Sequence, residues 1–439
     1  MTKGLCKGLG KMVLGLCVCA AIAAAQEWKA TSVHQLRDVR LGEFLKDKMK
    51  LDVDDHGIRL GGIGSGLWRS PLDDKNVFWM ITDRGPNAQI VVSGATRRTF
   101  PIPQFSPLIL KVKASKQGLK VLEVIPITGT GPVETGITGL SNNTRDEVPY
   151  GCNAVDLLTY NTHGLDTEDL VRTVDGTFYV VDEYSPSIVK ISSTGKMLNR
   201  WVPANMAPPL VTSGYPVTPI LPEIFGKRKA NRGFEGLTMS PDQKLIYAAL
   251  QSPLLNPTTA IGNASRNTRI LAMDTRMETP VAEYVYRFQP VTEFGDTNLT
   301  EMKVSALAMI DDYMMLVLER TDKVAKLYRV DLSTGTNILN SKWDNAATTP
   351  TLEALDDDGL ATNQVKPLAK ELILTMDSAK GWPGKIEGLT LVDMKTIAIA
   401  NDNDFGIGDF EITPSSCTLK DSGVGNSLIV VRLNRALDK

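Results

Sequence analysis

One short phrase recurs five times along this chain: a small residue and a leucine, a run of strand-like sequence, then a polar or charged residue. The copies run Ser65-Gly66-Leu67 to Asp83, Glu168-Asp169-Leu170 to Asp182, Glu235-Gly236-Leu237 to Gln251, Ser305-Ala306-Leu307 to Glu319 and Glu387-Gly388-Leu389 to Asn401. Repeats of this size mark an array in which each unit buries its apolar face against its neighbours. The repeat constrains the architecture, and it also says where chemistry collects, because the same two polar positions return in unit after unit.

Helical periodicity is scarce; short β-rich runs are bounded by Gly, Pro, Asp and Asn. The second unit reads as four strands, with hairpin chemistry at Asp175-Gly176, Ser185-Pro186 and Thr194-Gly195. The expected fold class is all-β: a single-domain β-propeller of five or six four-stranded blades. A sixth, irregular blade has room only within 114–164. The last unit shows three strands, so a strand near 33–41 is expected to complete it and close the ring by pairing the chain ends. The long segments 203–232 and 341–369 read as functional lids or disordered insertions.

The first 25 residues read as a signal peptide, with Lys3, Lys7 and Lys11 ahead of an apolar run that ends in Ala23-Ala24-Ala25. Residues 26–56 then form an N-terminal segment that supplies the closing strand, and 57–439 the propeller. A secreted or periplasmic, monomeric protein with no membrane span after cleavage is expected. Cys152 and Cys417 are the cysteines left in the exported chain; they form either one disulfide or two buried thiols.

Composition excludes several chemistries. Only His34, His56 and His163 are present, too few and too scattered for a zinc or binuclear-metal hydrolase. No Gly-x-Ser-x-Gly elbow, P-loop or dinucleotide fingerprint occurs, and a Ser-His-Asp triad lacks a histidine partner. No basic stripe with interleaved aromatics suggests nucleic acid.

Carboxylates at equivalent positions of a ring converge. Glu168, Glu235 and Glu387 open the first strands of their units, and Asp83, Asp182, Gln251, Glu319 and Asn401 end the second strands. Oxygen donors in this number, with almost no imidazole, suit Ca²⁺ or Mg²⁺. The expected metal ligands are Asp83, Glu168, Asp182, Glu235, Glu387, Asn401 and Asp402; hydrogen bonds between neighbouring units are the alternative use of these positions. Arg84 and Arg320 follow the ring carboxylates and suit bidentate recognition of phosphate, or salt bridges to the acidic ring. Glu183 or Glu319 would serve as general base, and Tyr184 and Asn87 would contact substrate at the same rim.

Thr82-Asp83-Arg84-Gly85-Pro86-Asn87, Asp182-Glu183-Tyr184-Ser185-Pro186-Ser187, Gly233-Phe234-Glu235-Gly236-Leu237 and Ala400-Asn401-Asp402-Asn403-Asp404-Phe405-Gly406 together resemble the phytase-like family, also described as having esterase-like activity of phytase. The resemblance runs from about residue 57 to 433. It implies an exported protein that hydrolyses phosphate or other esters of a small molecule. The expected function is a divalent-cation-dependent phosphoester hydrolase. A lactonase or carboxylesterase using the same cation, or a non-catalytic calcium-stabilised binding propeller, are the alternatives. In the second unit Asp169 stands where the others carry Gly or Ala, which bears on how Glu168 is presented.

Overall fold

The computed structural model describes residues 28–129, 136–142, 144–210, 214–413 and 416–438. The signal-peptide reading of 1–25 lies outside them. No helix among the described residues is long and apolar enough to cross a membrane. The described residues are mostly β, with three short α-helices among them.

Among the described residues five sheets carry four or more strands. Sheet I contains Gly66–Trp68, Val77–Ile81, Leu108–Ser115 and Gly118–Pro126. Sheet II contains Thr167–Arg172, Phe178–Asp182, Ser187–Ile191 and Met197–Pro203, with Val217–Leu221 added in parallel at the edge. Sheet III is Phe234–Met239, Leu245–Leu250, Asn267–Asp274 and Thr279–Arg287. Sheet IV is Lys303–Met309, Met314–Arg320, Val324–Asp331 and Ala369–Asp377. Sheet V takes Ile386–Asp393, Thr396–Asn401 and Ser427–Leu433, and its fourth strand is Trp28–Gln35, antiparallel to Ser427–Leu433.

The first strands of the five sheets touch in sequence order, and the last touches the first. A separate apolar cluster fills each gap between neighbouring sheets. Phe178 and Trp79 meet between I and II, Tyr286 and Met315 between III and IV, and Leu67 and Leu428 between V and I. Each sheet is thus covered on both faces, which is why inner strands such as Phe234–Met239 are buried at every position. The arrangement is propeller-like.

The closing strand begins and ends earlier than the expected 33–41. Leu41, Phe44 and Leu45 recur at helical spacing and bury one face of the helix Leu41–Met49, so the strand stops at Gln35. Residues 114–164 form no sixth four-stranded sheet among the described residues. They finish sheet I and then add Pro149–Tyr150 to the insertion hairpin Ala88–Val92 and Ala95–Thr99. A disulfide joins Cys152 in that insertion to Cys417 in the hairpin Ile407–Thr413 and Ser416–Asp421, Cα atoms 6.0 Å apart. Segment 341–369 is packed rather than loose: Trp343, Leu352, Leu355 and Leu360 form their own cluster with Val285. Buried Arg269 pins it, pairing with Glu283 at 2.7 Å and Glu353 at 2.9 Å.

Candidate functional site

The repeated acidic position sits on a β-bulge. In sheet III Phe234 pairs with Leu250 and Gly236 with Ala249, leaving Glu235 as the extra residue. Ser305 and Glu387 hold the same place in sheets IV and V. In sheet II, Glu168 and Asp169 together face Val181. A bulge takes a side chain out of the sheet's alternation and re-aims it. Here Glu168, Glu235 and Glu387 all line one polar cavity of about 380 Å³ at the ring's centre.

The residue after each bulge is small because the inner strands crowd one another. A Cβ on Gly66 would stand 2.7 Å from Asp169 Cα, and one on Gly236 would stand 3.1 Å from the Ala306 backbone. Asp169 breaks the rule by using its side chain as a tie. Its carboxylate accepts the backbone N–H groups of Leu170 at 2.8 Å and Leu237 at 2.9 Å, linking sheets II and III.

One wall of the cavity is acidic. Asp166, Glu168 and Glu183 each bring a carboxylate oxygen within 4.8 Å of the others, and all three are buried. Burial pushes the Asp166 carboxyl up to about 6, against the pull of Arg84. Burial raises Glu168 well above the carboxylate range, and the charges of Glu235, Asp166, Glu183 and Glu387 add to it. Burial, Glu235 and Asp166 raise Glu183, whose Oε1 is buried without a hydrogen-bond donor. Asp83 is raised by burial and by Asp402 and Asp166. Across the cavity burial lifts Asp402 to about 7 although Lys385 opposes it. Carboxylates packed this closely need protons, or a cation among them.

Arginines and lysines interleave with these acids. Arg84 Nη2 stands 2.5 Å from Asp166 Oδ2, and its guanidinium lies over the Tyr184 ring, 5.2 Å from the centroid. Arg98 grips Glu147 through Nε at 2.8 Å and Nη2 at 2.9 Å, and donates to Asn87 Oδ1 at 2.7 Å. Arg320 donates to Ser305 Oγ at 2.8 Å and to Asp322 at 2.9 Å, and pairs with Glu387. Lys385 bridges Asp402 and Asp404 at 3.2 and 2.5 Å.

Of the residues singled out from the sequence, Asp83, Arg84, Asn87, Glu168, Glu183, Glu235, Arg320, Glu387 and Asp402 line this cavity. Four others do not, each because a neighbour captures it. Asp182 is fully buried against Arg200 at 2.6 Å and Ser187 Oγ at 2.7 Å, and its other oxygen accepts the Asp166 N–H at 2.8 Å. Glu319 accepts from Tyr286 Oη, Lys370 Nζ and the Gln289 N–H, at 2.7, 2.7 and 2.6 Å, between sheets III and IV. Asn401 spends its side chain on Ser427 N–H at 2.8 Å and Gly425 O at 3.1 Å. Tyr184 is buried beneath Arg84 and donates its hydroxyl to Gly139 O at 2.6 Å.

Asp166, Arg232, Lys303 and Lys385 were not among the sequence candidates. A signal for three of them was present: Asp166, Lys303 and Lys385 each stand two residues before the bulge position of their unit. Asp166 lies fully buried behind the wall that Glu168 and Glu183 form.

The family model described as "Phytase-like: Esterase-like activity of phytase" matches residues 58–405. The chain belongs to the phytase-like family. This phytase-like chain is 26% identical over 364 residues to an uncharacterized secreted protein of Arthroderma benhamiae, covering 70% of this chain and 71% of that protein. Among solved structures it is similar to a luciferin-regenerating enzyme (8% identity, 85% of this chain, 92% of that one, TM-score 0.35). It is also similar to the PQQ-bound aldose sugar dehydrogenase of Streptomyces coelicolor (10% identity, 93% and 100% coverage, TM-score 0.33).

Proposed function

We propose that this phytase-like chain is an exported, divalent-cation-dependent ester hydrolase built on a five-bladed propeller, acting on a phosphoester of a small molecule. The observation that carries the reading is the buried trio Asp166, Glu168 and Glu183 at the edge of a cavity whose remaining lining interleaves Arg84, Arg320 and Lys385 with further acids. Three hard oxygen donors at this spacing suit Ca²⁺ or Mg²⁺, and the orphaned Glu183 Oε1 gives the trio a lone pair that no protein donor satisfies. A cation held there supplies Lewis-acid polarisation of the ester oxygen and counters the repulsion among the acids.

The protein's own groups have separate tasks. Arg84, fixed by Asp166 and by the Tyr184 ring, presents its remaining donors to a phosphoryl oxygen. Glu235 has one oxygen held by Gln251 Nε2 at 2.6 Å, so its carboxylate keeps a set orientation to take the proton of an attacking water. Arg320 neutralises Glu387 and keeps that acid from competing for the substrate's positive contacts. The match to a family described by esterase-like activity of phytase and the secreted relative support hydrolysis and export.

The test is turnover of phytate, p-nitrophenyl phosphate and a short acyl ester, with Ca²⁺ and with chelator. Phosphate release abolished by chelation is the expected result. Acyl release alone selects a carboxylesterase or lactonase. Cation binding without turnover of any of the three selects a binding propeller.

A further inference from the structure

Among the described residues six basic side chains line the central cavity, and five of them are neutralised by direct ion pairs. Arg84 pairs with Asp166, Arg98 with Glu147, Lys303 with Asp322, Arg320 with Asp322 and Glu387, and Lys385 with Asp402 and Asp404. The sixth, Arg232, has no carboxylate within 4 Å among the described residues. Its Nη1 is buried without an acceptor while the side chain keeps partial exposure through the cavity. Two neighbours on the same lining are orphaned in the opposite sense: Asn231 Oδ1 and Gln251 Oε1 are buried with no donor. The Gln251 amide cannot flip to cure this, because its Nε2 is held by the Glu235 carboxylate at 2.6 Å.

An unsatisfied cationic donor flanked by unsatisfied acceptors describes the ligand by complementarity, since unpaired buried polar groups are costly and mark a missing partner. We propose that Arg232 is the anchor of an oxyanion subsite, and that Asn231 and Gln251 receive hydroxyl groups carried on the same molecule. The ligand class is a hydroxylated small molecule bearing a phosphate or carboxylate. This deepens the hydrolase reading and rests on it only for the placing of the scissile ester near Asp166, Glu168 and Glu183. Burial lowers the proton affinity of Arg232; Glu183 and Glu235 oppose this, and Arg320 adds to it. The loop is held in place independently of any ligand. The Asn231 N–H donates to Asp146 at 3.3 Å, and Asp146 in turn pairs with buried Arg228 at 2.6 Å.

Calorimetry on the full chain in chelator tests this with three probes: inorganic phosphate, glycerol 2-phosphate and glycerate. Wild type is expected to bind glycerol 2-phosphate roughly fivefold more tightly than phosphate, one neutral hydrogen bond's worth. Arg232→Met should weaken both by about tenfold or more and Arg232→Lys should recover part of the loss, as for a charge-assisted contact. Asn231→Gly is tolerated by the backbone, since Asn231 already has φ 54°, and it should erase the glycerol advantage. Glycerate binding more tightly than glycerol 2-phosphate assigns the subsite to carboxylates instead of phosphates. Arg232→Met should still bind Ca²⁺ in direct titration, at wild-type affinity or tighter, because a cationic charge beside Glu183 is gone. Equal anion binding by Arg232→Met and wild type, or no anion binding by wild type, overturns the subsite; a glycerol advantage that survives Asn231→Gly overturns the hydroxyl contact. Arg232-dependent anion binding in a protein that neither binds Ca²⁺ nor cleaves an ester sinks the hydrolase reading and leaves the subsite standing.

Discussion

Arg84 Nη2 lies 2.5 Å from Asp166 Oδ2, with side chains 5% and 0% exposed, so the turn after the second strand of sheet I is bolted to the segment that enters sheet II. Removing one member of such a pair strands the other without water. Arg84→Met should therefore destabilise the cation-free protein by about 3–5 kcal/mol, the usual range for a broken buried pair. Adding Asp166→Asn should return part of that loss, because the acid is then no longer charged among Glu168 and Glu183. Denaturant unfolding of the two single variants and the double variant measures the coupling. Strict additivity would show that the pair does not hold the two sheets.

The acidic wall gives stability an uncommon pH slope. Asp166 moves from an ordinary 3.8 to about 6 and Asp402 from 3.8 to about 7 on folding. The native state therefore binds protons more tightly than the unfolded chain, and between about pH 4 and 7 these groups make stability fall as pH rises. Asp146, raised to about 7, and Glu283, raised to about 8, push the same way from outside the cavity. Cation separates the two sources, since it replaces protons only where carboxylates converge. Melting in chelator should be lower at pH 7.5 than at pH 5, and added Ca²⁺ should raise the melting temperature more at pH 7.5. An equal Ca²⁺ effect at both values would place the ion away from these acids.

Crowding of the inner strands makes a third expectation. A methyl on Gly66 would press on the backbone of Asp169 at 2.7 Å, whereas one on Gly236 would meet Ala306 at 3.1 Å. Gly66→Ala should cost about 1–3 kcal/mol, the range for overpacking, and Gly236→Ala less. Because Asp169 follows Glu168 on the same bulge, Gly66→Ala should also weaken Ca²⁺ binding, and Gly236→Ala should perturb it through Glu235. Urea unfolding alongside cation titration checks both; Gly66→Ala as stable as wild type would show that the ring yields at this point.

Much of this layout was legible because it rests on local pattern. The strands of the second to fifth units follow their β-rich runs closely, and the three-strand C-terminal unit announced its missing partner at the N-terminus. Glu235 and Glu387 could be aligned because Gly-Leu follows each. The bulges that turn them inward leave no composition signal, so their convergence was argued from the ring alone. What failed to show was long-range capture. Glu319 occupies the same repeat position as Asp83, but Lys370, brought back after the packed segment 341–369, takes its charge. Asp182 is taken by Arg200, two strands away in the same sheet. Asp166 is inconspicuous in the sequence because it precedes the strand, and its importance depends on Glu183 folding back beside it.

Glu319 offers the sharpest separation of structure from chemistry. Its carboxylate is fully buried and holds Lys370 at 2.7 Å, the Tyr286 hydroxyl at 2.7 Å and the Gln289 N–H at 2.6 Å. Glu319→Gln keeps the shape, but it leaves the Lys370 ammonium without a counter-charge in a site already hostile to it, where burial lowers the lysine's proton affinity. Losing one partner of a buried pair costs on the order of 3 kcal/mol or more, although Lys370 has a second acceptor in the Arg287 carbonyl at 2.7 Å and can shed its proton. The variant should therefore melt below wild type, with the deficit shrinking as pH rises and the lysine neutralises. Ester turnover per folded molecule and Ca²⁺ affinity should stay at wild-type values, because none of these contacts reaches the cavity. A fall in turnover per folded molecule at unchanged melting temperature would return Glu319 to the catalytic set.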